Sequence, residues 1–130
     1  MSSVLDTNAL VFDTFEDSQL HKIARSKLDS LERWYIPSIV FHEYVWFMKA
    51  EEIELDFAKR KLSEYLMNAK THYCPMEPTD ILFASREMDN YGQYNDLLIV
   101  SVSRRLDQPL LTFDNDLRKA CRRLEVKTIG

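Results

Sequence analysis

The sequence predicts an α/β domain: a mostly parallel sheet with helices on both faces. Three observations carry that reading. Short apolar segments with strand character alternate with stretches whose apolar residues recur at helical spacing. No repeat, low-complexity stretch or linker divides the 130 residues, so one domain spanning residues 1–130 is expected, long enough to bury a core. Aspartates stand immediately after the first and fourth strands, where open parallel sheets gather their working residues.

The elements follow in order. Ser3–Leu5 is a short apolar strand that runs into Asp6-Thr7-Asn8. Asp17 or Ser18 is expected to cap a helix carrying Leu20, Ile23, Ala24, Leu28 and Leu31. Trp34–Ile36 is the second strand, and Pro37-Ser38 opens a helix through Ala50 that is apolar almost all round. Glu54–Lys70 repeats the helical pattern with Leu55, Ala58, Leu62, Tyr65, Leu66 and Ala69 on one face, its acids early and its bases late. Thr71–Cys74 is a third strand. Pro78 starts a helix that Tyr91-Gly92 ends, with Gly92 expected in the left-handed cap position. Asn95 caps a helix over Asp96–Leu106, Pro109–Phe113 is the fourth strand, Asn115–Leu124 a helix and Val126–Ile129 a closing strand.

Composition excludes several function classes. Glycine occurs twice, at Gly92 and Gly130, where average usage of ~7% would give about nine. Neither the G-x-G-x-x-G turn of dinucleotide sites nor the G-x-x-x-x-G-K-[ST] phosphate loop is present. Any phosphate chemistry therefore falls to side chains. The longest apolar run, Tyr44–Met48, is far short of a membrane span, and the first residues lack the pattern of a secretion signal. Cys74 and Cys121 sit in apolar contexts without C-x-x-C pairing, as expected of buried, reduced thiols in a cytoplasmic protein. Two cysteines and three histidines show no zinc-site spacing.

The net charge of −4 is uneven along the chain. Residues 1–96 hold 17 acids and 10 bases, whereas residues 97–130 hold 4 acids and 7 bases. The acidic total argues against a protein that coats nucleic acid, but it leaves room for a local cationic patch.

Singly, Asp6, Asp96 and Asp114 each read as a turn or helix-start residue. Glu43 stands out because its helix is so apolar: an ionised carboxylate there needs a cation or strong hydrogen bonds. A salt bridge, a neutral hydrogen-bonded glutamate and a metal all answer that need. Four carboxylates converging on one cleft would repel one another unless a divalent cation neutralised them. Hard oxygen donors without Cys or His select Mg²⁺ or Mn²⁺. Such an ion can activate water for attack on a phosphodiester.

In order along the chain stand Val4-Leu5-Asp6-Thr7-Asn8, Glu43 in the Pro37-initiated helix, Asn95-Asp96-Leu97-Leu98-Ile99-Val100 and Leu111-Thr112-Phe113-Asp114-Asn115-Asp116. Together they resemble the pattern of PIN-domain ribonucleases, most of all the small VapC-type toxins of toxin–antitoxin pairs, over essentially the whole chain. The resemblance implies a five-stranded sheet of order 3-2-1-4-5 and RNA cleavage with Mg²⁺ or Mn²⁺ held by Asp6, Glu43, Asp96 and Asp114. It gives Asn8 and Thr112 supporting roles in orienting the acids and matches Asp116 to a less constant acid. It also implies a homodimer and an antitoxin partner. The chain departs from the pattern after Asp96, where large Leu97-Leu98-Ile99-Val100 replace the usual small residues.

Arg104 and Arg105 close one helix, and Arg118, Lys119, Arg122 and Arg123 form i,i+4 stripes on the next. These cations either complement helix dipoles on a solvated face or contact the RNA backbone. Tyr91 and Tyr94 are the candidates for base stacking, although such residues more often make core or cap contacts. The other readings weighed are a housekeeping RNA-processing nuclease of the same chemistry, a non-catalytic RNA- or protein-binding PIN module and a haloacid-dehalogenase-type phosphatase. The last needs an acid two residues after the first aspartate, where Asn8 stands.

Overall fold

The computed structural model describes residues 1–130. Five strands form one sheet in the order β3-β2-β1-β4-β5. They are β1 (Ser2–Leu5), β2 (Arg33–Pro37), β3 (Thr71–Cys74), β4 (Leu110–Leu111) and β5 (Thr128–Ile129). Every pairing is parallel, so the expected topology is realised without an antiparallel edge. The chain steps one way from β1 to β3, then returns to place β4 on the other flank of β1. Right-handed crossovers in the two directions put their helices on opposite faces of the sheet.

Seven α-helices surround it: α1 (Thr7–Thr14), α2 (His21–Ser30), α3 (Ser38–Ala50), α4 (Leu55–Met67), α5 (Pro78–Glu87), α6 (Tyr94–Leu106) and α7 (Asn115–Arg123). No helix is long and apolar enough to cross a membrane. The core is continuous, running from Val4 and Leu5 through Ile36, Tyr44 and Leu110 to Leu117 and Cys121. Leu97, Leu98, Ile99 and Val100 are all buried. Large side chains can follow Asp96 because α6 lies inside the molecule, with α5 and β1 against it. Both cysteines are buried and unpaired, and burial pushes their thiols up, Cys74 to about 11 and Cys121 to about 12.

Several sequence expectations need correction. Gly92 does not cap a helix: α5 ends at Glu87, and Gly92 sits in a separate 3₁₀ turn, Tyr91–Gln93, without a positive φ. The left-handed positions go to Glu52, Asp107 and Glu125. Gly130 does have a positive φ, and a Cβ there would come within 2.7 Å of the Thr112 carbonyl oxygen. α2 begins after Leu20 without a side-chain cap, and Ile23 is exposed. α4 stops at Met67, leaving Leu55 and Leu66 exposed. α3 is not buried all round, because Val45 and Trp46 face solvent. β4 and β5 are two-residue strands, shorter than the apolar runs suggested.

Two buried polar networks were invisible in the sequence. Asp80 is fully buried and takes hydrogen bonds from Ser101, Arg105 and the Glu77 N–H, joining α5 to α6. Asp13 accepts from Tyr65 and pairs with Arg25, while the Thr14 hydroxyl bonds the hydroxyls of Tyr44 and Tyr65. The second network ties α1 to α2, α3 and α4.

Candidate active site

The carboxyl ends of β1 and β4 lie side by side, with Leu5 opposite Leu111 and the Asp6 N–H donating to the Leu111 carbonyl at 3.0 Å. Asp6 is the N-cap of α1, its Oδ1 accepting from the Thr7 N–H at 2.7 Å. Its Oδ2 accepts from the Thr112 hydroxyl at 2.7 Å, and that hydroxyl oxygen accepts from the Asp114 N–H at 3.1 Å. Thr112 thus locks the first acid to the last. Asn8 Oδ1 accepts from the Phe113 N–H at 3.4 Å and steadies the same crossing. Asp114 caps α7 through Oδ1, which accepts from the N–H groups of Asp116 and Leu117.

Glu43 projects from α3 towards α1. Its Oε1 accepts from the Thr7 hydroxyl at 2.6 Å, and its Oε2 accepts from the Asn95 amide at 3.4 Å. Neither Thr7 nor Asn95 was picked out as a partner of Glu43 from the sequence. Asn95 does not cap α6, which begins at Tyr94 without a side-chain cap; its amide is turned to Glu43 instead. Their contacts cross 36 and 52 residues of chain, a proximity that local pattern cannot show.

Asp6, Glu43, Asp96 and Asp114 line one cavity of about 290 Å³ with Thr7, Asn8 and Phe12, and no lysine, arginine or histidine is among its lining residues. The charge is therefore uncompensated from within. Burial, aided by the charges of Asp96 and Glu43, pushes Asp6 up to about 7. Burial and then the charges of Asp114, Glu43 and Asp116 push Asp96 up to about 6. A divalent cation would relieve both. No three of the acids converge as a ready-made coordination set; Asp6, Glu43 and Asp114 are each held by protein donors.

The predicted cations separate into distinct groups. Arg105 is bound to Asp80, and Arg104 lies over the Phe83 ring; both stand at the far end of α6 from Asp96. Arg118 turns inward, its Nη2 donating to the carbonyls of Thr112 and Gly130. All three therefore make contacts within the protein. Lys119 and Arg123 line a second cavity of about 580 Å³ that shares Asp96 and also contains Asp116. Arg122 is exposed on α7 and lines neither cavity. Tyr94 packs against the core, whereas Tyr91 is exposed.

Comparison with known proteins decides the family. The PIN domain family model matches residues 3–123. The chain is a PIN domain. No curated protein sequence matches it. Among solved structures, this PIN domain is similar to VapC20 of Mycobacterium tuberculosis, a sarcin–ricin loop cleaving toxin, with TM-score 0.77 and 14% identity over 92% of this chain and 95% of that one. It is similar to VapBC2 from Rickettsia felis, solved bound to a DNA fragment from its promoter, with TM-score 0.70 and 17% identity over 99% and 98% of the two chains. FitAcB from Neisseria gonorrhoeae gives TM-score 0.69 and 17% identity over 100% and 97%. At these identities the likeness is one of fold.

Proposed function

We propose that this PIN domain is a metal-dependent endoribonuclease, the toxin of a toxin–antitoxin pair. The observation that carries the reading is the cavity at the β1–β4 switch point, where four carboxylates gather without a basic residue among them. A bound Mg²⁺ or Mn²⁺ would supply a nucleophilic water at neutral pH and neutralise charge on the phosphoryl group. Asp6, Asp96 and Asp114 would hold the ion, one or two of them directly and the rest through its waters. Glu43, fixed by Thr7 and Asn95, would complete the shell or position the water. The chemistry supplied would be attack of the water oxygen on phosphorus with cleavage of the P–O3′ bond, the water's proton passing to solvent and the departing oxygen taking one from it. The products carry 5′-phosphate and 3′-hydroxyl ends.

Similarity to a toxin that cleaves the sarcin–ricin loop and to VapBC and FitAB assemblies supports the toxin role. So does the apolar surface between α3 and α4. Val45, Met48, Ile53, Leu55 and Leu62 line a cavity of about 460 Å³ there, and Trp46 stands 63% exposed beside it. A surface of that kind suits a protein partner; we assign it to an antitoxin. Association as a homodimer and a cytoplasmic location belong to the same reading.

The deciding assay compares cleavage of RNA by the purified protein with Mg²⁺ or Mn²⁺, with EDTA, and by Asp6→Asn. The wild type should cleave only with metal, and the variant should be inactive. Equal cleavage by the variant would identify a contaminating nuclease and refute the assignment. Expression without an antitoxin should arrest growth; unimpeded growth alongside active cleavage in vitro would point to a housekeeping enzyme.

A further inference from the structure

The 580 Å³ cavity beside the acidic cluster has features that hydrolysis itself does not require. It runs between the Asp89–Gln93 turn and α7 and meets the catalytic cavity at Asp96. Lys119 and Arg123 are the only basic residues lining either cavity. Four residues apart on α7, they stand one above the other on one helix face. Lys119 is exposed and forms no ion pair; Arg123 reaches Glu87 at 3.5 Å but remains half exposed. An acidic cluster repels every phosphate except the one its metal binds, so cations are needed where the strand leaves it.

The opposite wall is a braced turn. The Asp89 N–H donates to Gln93 Oε1 at 2.7 Å, and the Gln93 N–H donates to the Asn90 carbonyl at 3.2 Å. Gly92 sits so close to Asn90 that a Cβ would come within 3.1 Å of its Oδ1. On this turn Tyr91 is 92% exposed, the most exposed large hydrophobic side chain in the molecule, and no aromatic pair or cation–π contact engages it. Lys119 and Arg123 stand in this groove among Asp89, Asp96 and Asp116, and an exposed aromatic ring on the turn next to two such cations offers a stacking face to an unpaired nucleotide.

We propose that this groove is the nucleotide subsite next to the scissile phosphate: Lys119 and Arg123 contact successive phosphates, and Tyr91 stacks on the neighbouring unpaired base. The assignment rests on the RNA-hydrolysis reading and adds which side of the acidic cluster the strand follows and which residues grip it.

Its test uses single-stranded RNA oligonucleotides carrying 2-aminopurine at successive positions. Binding is measured in EDTA, so that the strand stays whole, and cleavage kinetics with Mn²⁺, both in the otherwise wild-type chain. One 2-aminopurine position should be quenched on binding. Tyr91→Ala should abolish that quenching and weaken binding about tenfold, while Tyr91→Phe retains both. Lys119→Gln and Arg123→Gln should each lower the slope of log affinity against log salt by about 0.7, with Arg104→Gln as an unaffected control. In cleavage, Tyr91→Ala should raise KM more than it lowers kcat. Binding that is absent, or indifferent to Tyr91 and Lys119, overturns the subsite, even if the protein cleaves RNA. Tyr91-dependent quenching by a chain that never cleaves would uphold the groove and refute the nuclease reading.

Discussion

Asp96→Asn is expected to reduce RNA cleavage by about 10²-fold or more and, in the same molecule, to raise the melting temperature of the metal-free protein. Activity should fall because an acid that we propose as a cation ligand is lost. Stability rises because every influence on Asp96 opposes its ionisation: burial first, then the charges of Asp114, Glu43 and Asp116. Its carboxyl is raised from 3.8 to about 6 in the folded protein. Below the unfolded value the group is protonated in both states and costs nothing. Between about 4 and 6 the unfolded chain loses this proton while the folded one keeps it, so stability falls as pH rises. Above about 6 the full penalty is in force. Asparagine removes it, a gain on the order of 1–2 kcal/mol after allowance for partial exposure to water, or roughly 3–6 °C. Thermal melts in EDTA at pH 7.5 and pH 4 should therefore separate variant from wild type at the higher pH alone. A variant destabilised at pH 7.5 would mean that Asp96 is held by the fold rather than strained within it.

Asp80→Ala should have the opposite signature, a large loss of stability. Asp80 is fully buried and anchors Ser101 at 2.7 Å, Arg105 at 3.0 Å and the Glu77 N–H at 2.9 Å. Alanine leaves a guanidinium and two further donors without their acceptor, at about 3 kcal/mol. A fall in melting temperature of about 10 °C follows. Because Asp80 joins α5 to α6, and α6 begins with Asn95 and Asp96, cleavage at growth temperature should fall with folding and recover on cooling. A melting temperature within 2 or 3 °C of the wild type's would show that the network is not what holds α6 in place.

The contrast between these two aspartates shows what could be read from the sequence. Asp6 and Asp114 were visible because each directly follows an apolar strand, and strand ends at a switch point are where parallel sheets carry chemistry. Glu43 was visible because a carboxylate interrupts an apolar helix. Asp80 has neither mark. It occupies a helix first turn, where carboxylates are common for the dipole alone, and its meaning depends on Ser101 and Arg105 some twenty residues on. Arg118 was misplaced for a related reason. An i,i+4 stripe of bases on α7 does not reveal which stripe faces outwards, and Arg118 turned out to brace Thr112, while Lys119 and Arg123 line the groove. Gly92 stands just past a helical pattern, the usual place for a left-handed cap, yet its φ is not positive. Its use is in a close approach to Asn90, and acidic residues take up the left-handed turns.

Mn²⁺ binding followed by electron paramagnetic resonance puts the account's central claim, that these carboxylates form a cation site, to its most direct test. At pH 7.5 the full chain should remove the signal of free Mn²⁺ saturably, with Mg²⁺ competing. Asp6→Asn and Asp96→Asn should each weaken that binding by at least about tenfold, whereas Asp107→Asn, on the far end of α6, should not. Undiminished Mn²⁺ binding in both site variants, or none in the wild type, would contradict it.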